Sequence, residues 1–384
     1  MTRSLLTELQ QLQNLALSYL ESLSEEEARR QYHSDLSPLA WHIGHMAYVD
    51  TYWIQEVVLG NKTINAWKEL YLPEFTPKSL RAAKLPSKTD LTAFVVDLNA
   101  NNLRLLTDLT RQGSDHPLLR NNYLHHFLLQ HHDQHLETIQ QILHQQALTR
   151  PWPVFIVENP CPIRAAIPAN VAPRIAHASI GHSGGPDAYD NELCRHEIAM
   201  APFFIATHSV SNAEYLGFIA SNGYTDKQYW SDPGWQWLQQ TQIRAPEHWR
   251  QDQVGEWFSI GIAGPTALDP QYAVSGINYY ETQAFTHYAR HRLPTEQEWE
   301  CAAAQDIIKN IHTWEWCANA LYPYPGFQSF PYAGYSTPWF DGHHYTLRGG
   351  SRHTSVRIKR PTFRNFYTAD KRHIFAGVRL AVNC

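Results

Sequence analysis

The stretch LLQHHDQHLETIQQIL, Leu128–Leu143, decides how the first part of this chain is read. Its apolar residues recur at spacings of three and four, the signature of one face of an α-helix. Leu124, Leu128, Ile139 and Ile142 fall on that face, and so do His131 and His135. Residues four apart differ by only ~40° around a helix axis, so the two imidazoles project together from the stripe that should meet the core. A buried imidazole needs partners for both nitrogens, and two of them one turn apart, aimed into a bundle, form a natural metal clamp.

A third ligand is expected from another helix. The stretch WHIGHMAYVDTYW, Trp41–Trp53, offers His45 on a face shared with Trp41, Tyr48, Val49 and Tyr52, whereas His42 stands about 300° away around the axis. The expected triad is therefore His45, His131 and His135. Glu137 lies ~200° from His135 and cannot easily join it; Asp50 is a weaker alternative, and His125, His126 and His132 read as structural or surface residues. Three neutral imidazoles suit iron(II), zinc, copper or nickel, and ligand type alone does not choose among them.

Working outward, four helical segments are expected at roughly 2–22, 37–58, 88–111 and 117–147, with Ser37 as N-cap and Pro38 in the first turn of the second. The stretch 60–87, with Gly60, Pro73, Pro77 and Pro86, reads as a long crossover, so residues 1–147 are expected to form a four-helix bundle. Prolines 151, 153, 160, 162, 168 and 173 rule out helix across 148–175, which reads as a linker. From 176 to 384 the pattern is short strands, turns and dense aromatics. Two short helices are expected there, Ser211–Asn222 and Thr295–Ala304, each opened by a capping box (Ser211 with Glu214, Thr295 with Glu298). The fold class is thus α+β: a helical bundle followed by an irregular, strand-rich domain.

The 384 residues suit two domains, and a composition 43% hydrophobic and 17% charged is that of a folded protein. A formal charge of -5 gives no reason to expect nucleic acid as a partner. Five scattered cysteines without a CxxC exclude a zinc ribbon and argue against a disulfide framework. No signal-like segment and no run of about 18 apolar residues is present, so no membrane is expected and a reducing cytoplasm is the default compartment.

WHIGHMAYVD and HHDQHLET resemble the metal-binding helices of the DinB-type bundle in the non-haem iron sulfoxide synthases of ergothioneine and ovothiol biosynthesis; selenoneine synthases share that architecture. YDNELCRHEIAMAPFFIATHSVSNAEYLGFIASNGY, LPTEQEWECAAA, WEWCANALYPYPGFQSFPYAGYSTPWF and LRGGSRHTSVRIKRPTFRNFYTADKRHIFAGVRLA resemble the formylglycine-generating-enzyme fold found in the same proteins, which is related to C-type lectins. The resemblance implies iron(II) on His45, His131 and His135, dioxygen as co-substrate, and oxidative bond formation between a thiol or selenol donor and the imidazole of hercynine or histidine. It implies that Gln134 lines the acceptor pocket, that Tyr332 and Tyr335 stand near the iron with Tyr332 as proton or hydrogen donor, and that Asn365 and Phe366 contact the betaine end of hercynine. Phe366, Tyr367 and Trp339 are candidate aromatic faces for its trimethylammonium group, which cannot donate a hydrogen bond. A structural calcium in the C-terminal domain is implied by analogy alone.

The chain departs from the mycobacterial pattern. Phe366-Tyr367 stands where those enzymes have Trp-Asp, and PEFTPKSLRAAKLPSK offers only Arg81 and a few lysines where they have an arginine-rich loop. γ-Glutamylcysteine is therefore not the expected donor; cysteine or a thio- or selenosugar is. Lys371 and Arg372 remain candidates for a donor carboxylate. Three rivals stand beside this reading: a formylglycine-generating enzyme, disfavoured because Arg352, His353 and Thr354 follow GGS and the next strand, RIKRPTFRNF, has no cysteine; a zinc-dependent thiol transferase; and a non-catalytic sugar- or betaine-binding module.

Overall fold

The computed structural model describes residues 2–61, 67–113, 115–173, 178–309 and 311–384. The chain divides into two compact units, Met1–Thr149 with Gly185–Asp187, and Arg150–Gly184 with Ala188–Cys384.

The first unit is helical: α1 (Thr2–Glu21), α2 (Glu25–Arg29), α3 (Leu39–Thr51), α4 (Lys68–Tyr71), α5 (Lys78–Lys84), α6 (Lys88–Gln112) and α7 (Tyr123–Thr149). The four long helices are those that the spacing predicts. Every residue of α3 is buried, as expected of a helix apolar on most of its circumference, and it packs against α1, α6 and α7. It runs on as a π-helical segment, Tyr52–Val58. Ser37 is not the side-chain cap of α3; its hydroxyl accepts from Arg81 (2.6 Å) instead. The expected crossover carries α4 and α5, and residues 62–66 of it lie outside the described residues.

One buried polar knot ties three of these helices. Asp50 on α3, fully buried, accepts from Gln13 Nε2 on α1 (3.0 Å) and from His132 Nε2 on α7 (3.0 Å). Asp50 is thus spent on bundle registration rather than on a metal.

The second unit has a four-stranded sheet in the order β10-β7-β8-β9, with β7 Trp314–Ala320, β8 His344–Gly349, β9 Asn365–Thr368 and β10 Ala376–Gly377. Three small sheets surround it: β1 (Ala178–Ile180) with β2 (His196–Ile198), β3 (Phe203–Ile205) with β11 (Ala381–Asn383), and β4 (Trp249–Gln251), β5 (Trp257–Gly261) and β6 (Gly264–Ala267). Helices α8 (Asn212–Ala220) and α11 (Glu296–Ala304) begin at the two expected capping boxes. Two more, α9 (Asp232–Thr241) and α10 (Tyr279–Tyr288), were not expected, although Asn278 and Glu281 cap α10 in the same reciprocal manner.

Buried arginine–carboxylate pairs hold this unit together. Arg379 forks onto Glu315 (2.7 and 2.8 Å), which also accepts from Trp299 Nε1 (2.6 Å), and Arg348 and Arg364 both meet Glu296 (3.0 and 2.8 Å). Residues 150–173 pack along the second unit. Val171 bridges Ile205, Arg164 N donates to the Ala213 carbonyl (2.9 Å) and Ile167 N to Glu214 (2.6 Å), so proline removes helix here without removing tertiary pairing. Residues 174 and 175 of the expected linker are outside the described residues.

Asp50→Ala would leave the His132 and Gln13 donors buried without their acceptor. The expected loss is roughly 1–3 kcal/mol, read as a lowered midpoint in urea unfolding; an unchanged midpoint would show that the knot does not stabilise the bundle.

Candidate metal centre

Helices α3 and α7 bring His45, His131 and His135 together: one nitrogen from each ring lies within 4.8 Å of the other two. His45 Nε2 and His131 Nε2 are 3.2 Å apart, and the His135 ring centroid is 4.4 Å from that of His131 and 4.6 Å from that of His45. Burial pushes His45 down to about 4, and burial with neighbouring imidazoles holds His131 and His135 well below the usual range, so the three rings are neutral near pH 7.

Neutral nitrogens facing one another suit a divalent cation. Imidazole binds first-row metals at about 2.0–2.1 Å, which places tetrahedral donors roughly 3.4 Å apart. His45 is already set for such a role. Its Nδ1 donates to the Tyr71 carbonyl (2.5 Å), which fixes the proton on Nδ1 and leaves Nε2 bare on the side of the other two rings. His131 Nδ1 is buried without a hydrogen-bond partner, consistent with a ring held by its other nitrogen.

The Tyr71 acceptor reaches His45 because Gly44 has no side chain. A Cβ built on Gly44 would fall inside the Tyr71 ring, so the glycine in WHIGHMA is what lets α4 lie this close to α3. Trp41 stacks on His45 (4.6 Å, 14°) and donates its indole N–H to the Leu70 carbonyl (2.7 Å), tying α3 to α4 a second time.

Arg81 is not presented to a substrate. It is 3% exposed, lies over the Trp41 ring at 3.9 Å, and donates to Ser37 Oγ, the Thr76 carbonyl and the Pro73 carbonyl at 2.6, 2.9 and 3.1 Å. Its expected role in donor binding is replaced by a structural one, the tethering of the loop before α5. Gln134 is half-buried on α7, its amide donating to the Gln130 carbonyl (3.3 Å).

In the second unit, Trp339, His344 and Phe366 form an aromatic corner: Trp339 lies 4.9 Å from His344 and 6.0 Å from Phe366, with His344 and Phe366 at 6.3 Å. Trp339 is 37% exposed. Tyr367 does not belong to this corner. Side chains alternate along β9, and Tyr367 shares the opposite face with Asn365, opposite Tyr345 and Leu347 and within 6.2 Å of His373. Tyr332 is an exposed phenol, whereas Tyr335 is half-buried and stacks on Tyr189 at 4.1 Å, with burial raising its ionisation well above the ordinary range.

Arg372 is likewise committed within its own unit, to Glu281 and Glu247 (both 2.9 Å) and to the Ala245 carbonyl, so it is not free for a donor carboxylate. Lys371 is half-buried beside Asp370 (3.0 Å). Among the described residues, no group of three carboxylate, thiol or imidazole side chains lies wholly within the second unit. No described helix is long and apolar enough to cross a membrane. His42, Gly44, Tyr71 and His344 were not foreseen as parts of these sites. For His42 the signal was present in HIGH, but helix angle alone gave it a different face from His45.

The family description "Sulfatase-modifying factor enzyme 1-like domain" matches residues 177–310 and 304–384, and "DinB superfamily" matches residues 8–139. Over 94% of its length the chain is 27% identical to a "Hercynine oxygenase" of Mycolicibacterium thermoresistibile, covering 91% of that protein. It is 28% identical, again over 94% of its length, to the protein of the same name from Mycolicibacterium smegmatis, covering 95% of it. "Ergothioneine biosynthesis protein 1" of Schizosaccharomyces pombe is 27% identical over 51% of this chain and 28% of its own length.

Gly44→Ala should displace Tyr71 and free His45 Nδ1. Loss of such an orienting partner typically costs 10–100-fold in metal affinity, measurable by competition with a chelator. Unchanged affinity would show that the Tyr71 carbonyl does not position His45.

Proposed function

The chain belongs to the sulfatase-modifying factor enzyme 1-like family, in the arrangement that sets a DinB-superfamily bundle before that domain, and from that premise we propose that it is an iron(II)- and dioxygen-dependent enzyme joining a sulfur or selenium donor to the imidazole of hercynine. The observation that carries this reading is the convergence of three neutral imidazoles from two helices, one buried and two half-buried. Bound iron(II) would hold the donor chalcogen deprotonated and supply the redox chemistry with dioxygen.

His45, His131 and His135 would hold the ion through their neutral nitrogens. Gln134 flanks His131, about 60° from it around α7, and lines the acceptor side. Trp339 and Phe366 offer aromatic faces to a trimethylammonium group, each contributing roughly 0.5–2 kcal/mol; Asn365, on the other face of β9, is not part of that aromatic corner. Tyr332 supplies the proton during turnover. Its side chain is 44% exposed, and its phenol O–H is a group that can hand over a proton. Tyr335, packed on Tyr189, supports the loop that carries Tyr332.

The donor reads as less anionic than γ-glutamylcysteine. The two arginines that sequence offered for carboxylates, Arg81 and Arg372, are both consumed within their own units. Cysteine, or a thio- or selenosugar, needs fewer cationic partners.

An iron-loaded sample given hercynine or histidine with cysteine, γ-glutamylcysteine, a thiosugar and a selenosugar in turn should consume dioxygen with hercynine and a donor other than γ-glutamylcysteine. A preference for γ-glutamylcysteine would overturn the donor assignment, and zinc retention without oxygen uptake would overturn the reaction class. Tyr332→Phe should divert turnover toward simple donor oxidation; an unchanged product ratio removes the tyrosine from the mechanism. His135→Ala should abolish iron retention, and a fully loaded variant would contradict its place among the ligands.

A further inference from the structure

The bundle holds a fourth imidazole that the three-nitrogen centre does not use. His42 lies on α3 three residues before His45 and is 6% exposed. Its Nδ1 meets His135 Nδ1 at 2.9 Å, with the ring centroids 5.1 Å apart and the planes at 48°. Its Nε2 is buried without a hydrogen-bond partner. It is not one of the converging ligand group, and the nitrogen nearest that group is already engaged with His135.

Two facing Nδ1 atoms bond only when one carries a proton and the other does not. A cation held by His135 through Nε2 takes up the lone pair there and fixes that ring's proton on Nδ1. His42 must then accept through a bare Nδ1 and carry its own proton on Nε2. The tautomers of both rings follow from one hydrogen bond.

We propose that His42 is a positioning residue of the metal centre: an imidazole acceptor that orients His135 and selects its tautomer, as the Tyr71 carbonyl does for His45. The inference rests on the metal reading above. It adds an asymmetry to it, because an imidazole nitrogen is a stronger base than a peptide carbonyl. His135 is therefore the more electron-rich of the two oriented ligands, and a redox-active ion on it is biased toward its oxidised state.

Cobalt(II) is the probe, titrated into metal-free full-length protein. His42→Ala should weaken binding 10–100-fold and shift the visible d–d spectrum, with the far-ultraviolet circular dichroism of wild type. His42→Asn places an amide oxygen where Nδ1 stood and should recover most of the affinity. His42→Gln, which carries its amide out to the Nε2 position, should not. This pair decides the matter even if the alanine variant fails to fold. Wild-type affinity and spectrum in His42→Ala, or equal affinities in the Asn and Gln variants, would overturn the proposal and leave the three-histidine centre standing. A wild-type protein that takes up no cobalt(II) would overturn the centre itself, and this role with it. In the iron-loaded protein, removal of the acceptor should raise the iron(III)/iron(II) potential; a potential that stays or falls also counts against the proposal.

Discussion

A histidine buried in a helix bundle brings two nitrogens that cannot both be used in the same direction. Whatever one of them does toward the centre of the bundle, the other must be answered at the ring's far side, or a buried polar atom is left costing about 1–3 kcal/mol. The first unit meets this constraint at some rings and bears its cost at others, since His131 Nδ1, His132 Nδ1 and His42 Nε2 are buried without a hydrogen-bond partner. The Tyr71 carbonyl answers His45, His42 answers His135, and Asp50 answers His132 from a different quarter of the core. The short helix between the second and third long helices exists at the right height to bring a carbonyl to His45, and Gly44 makes the close approach sterically possible. The orientation of each ring and the packing of the helices are the same interactions seen from the two ends of one ring.

The second unit solves a different problem with a different device. Its strands are short and its connections long, so little regular hydrogen bonding is available to specify the fold. Buried fork-shaped arginines do that work: Arg348, Arg364 and Arg379 each reach across several segments to a carboxylate and to carbonyls. Removing one partner from such a pair is far more damaging than replacing both, because the remaining charge has nowhere to go. These residues sit inside the motifs LRGG, FRNF, GVRL and TEQEWE, and their geometry marks those stretches as scaffold. The Trp339, His344 and Phe366 corner is built on that scaffold.

The four long helices and the His45, His131 and His135 group were legible because period and spacing depend only on helix geometry, which is local. The two capping boxes at Ser211 and Thr295 were legible for the same reason, and α10, with Asn278 and Glu281, could have been found by the same rule. What escaped is non-local. Nothing near Arg81 or Arg372 in sequence says that their guanidinium groups turn inward, since Ser37 and Pro73 in one case and Glu247 and Glu281 in the other come from elsewhere in the chain. Tyr367 was grouped with Phe366 as an aromatic pair, but neighbours on a strand point to opposite faces, and the assignment of Asn365–Thr368 to a strand was the missing step. Proline across 150–173 forbids helix and says nothing of the particular partners that this segment finds, Val171 with Ile205 and Ile167 with Glu214 among them.

The glycine beneath Tyr71 has a bearing on how such centres can be transplanted. Copying the HxxxH helix and a third histidine onto another bundle would reproduce the ligand list and omit the reason one ligand keeps its tautomer. The smallest portable unit is larger: a histidine preceded by glycine, plus a neighbouring helix whose tyrosine ring lies against that glycine while its backbone oxygen meets the histidine. A side chain at the glycine position of a host helix would collide with the tyrosine ring, and the grafted histidine could lose its acceptor.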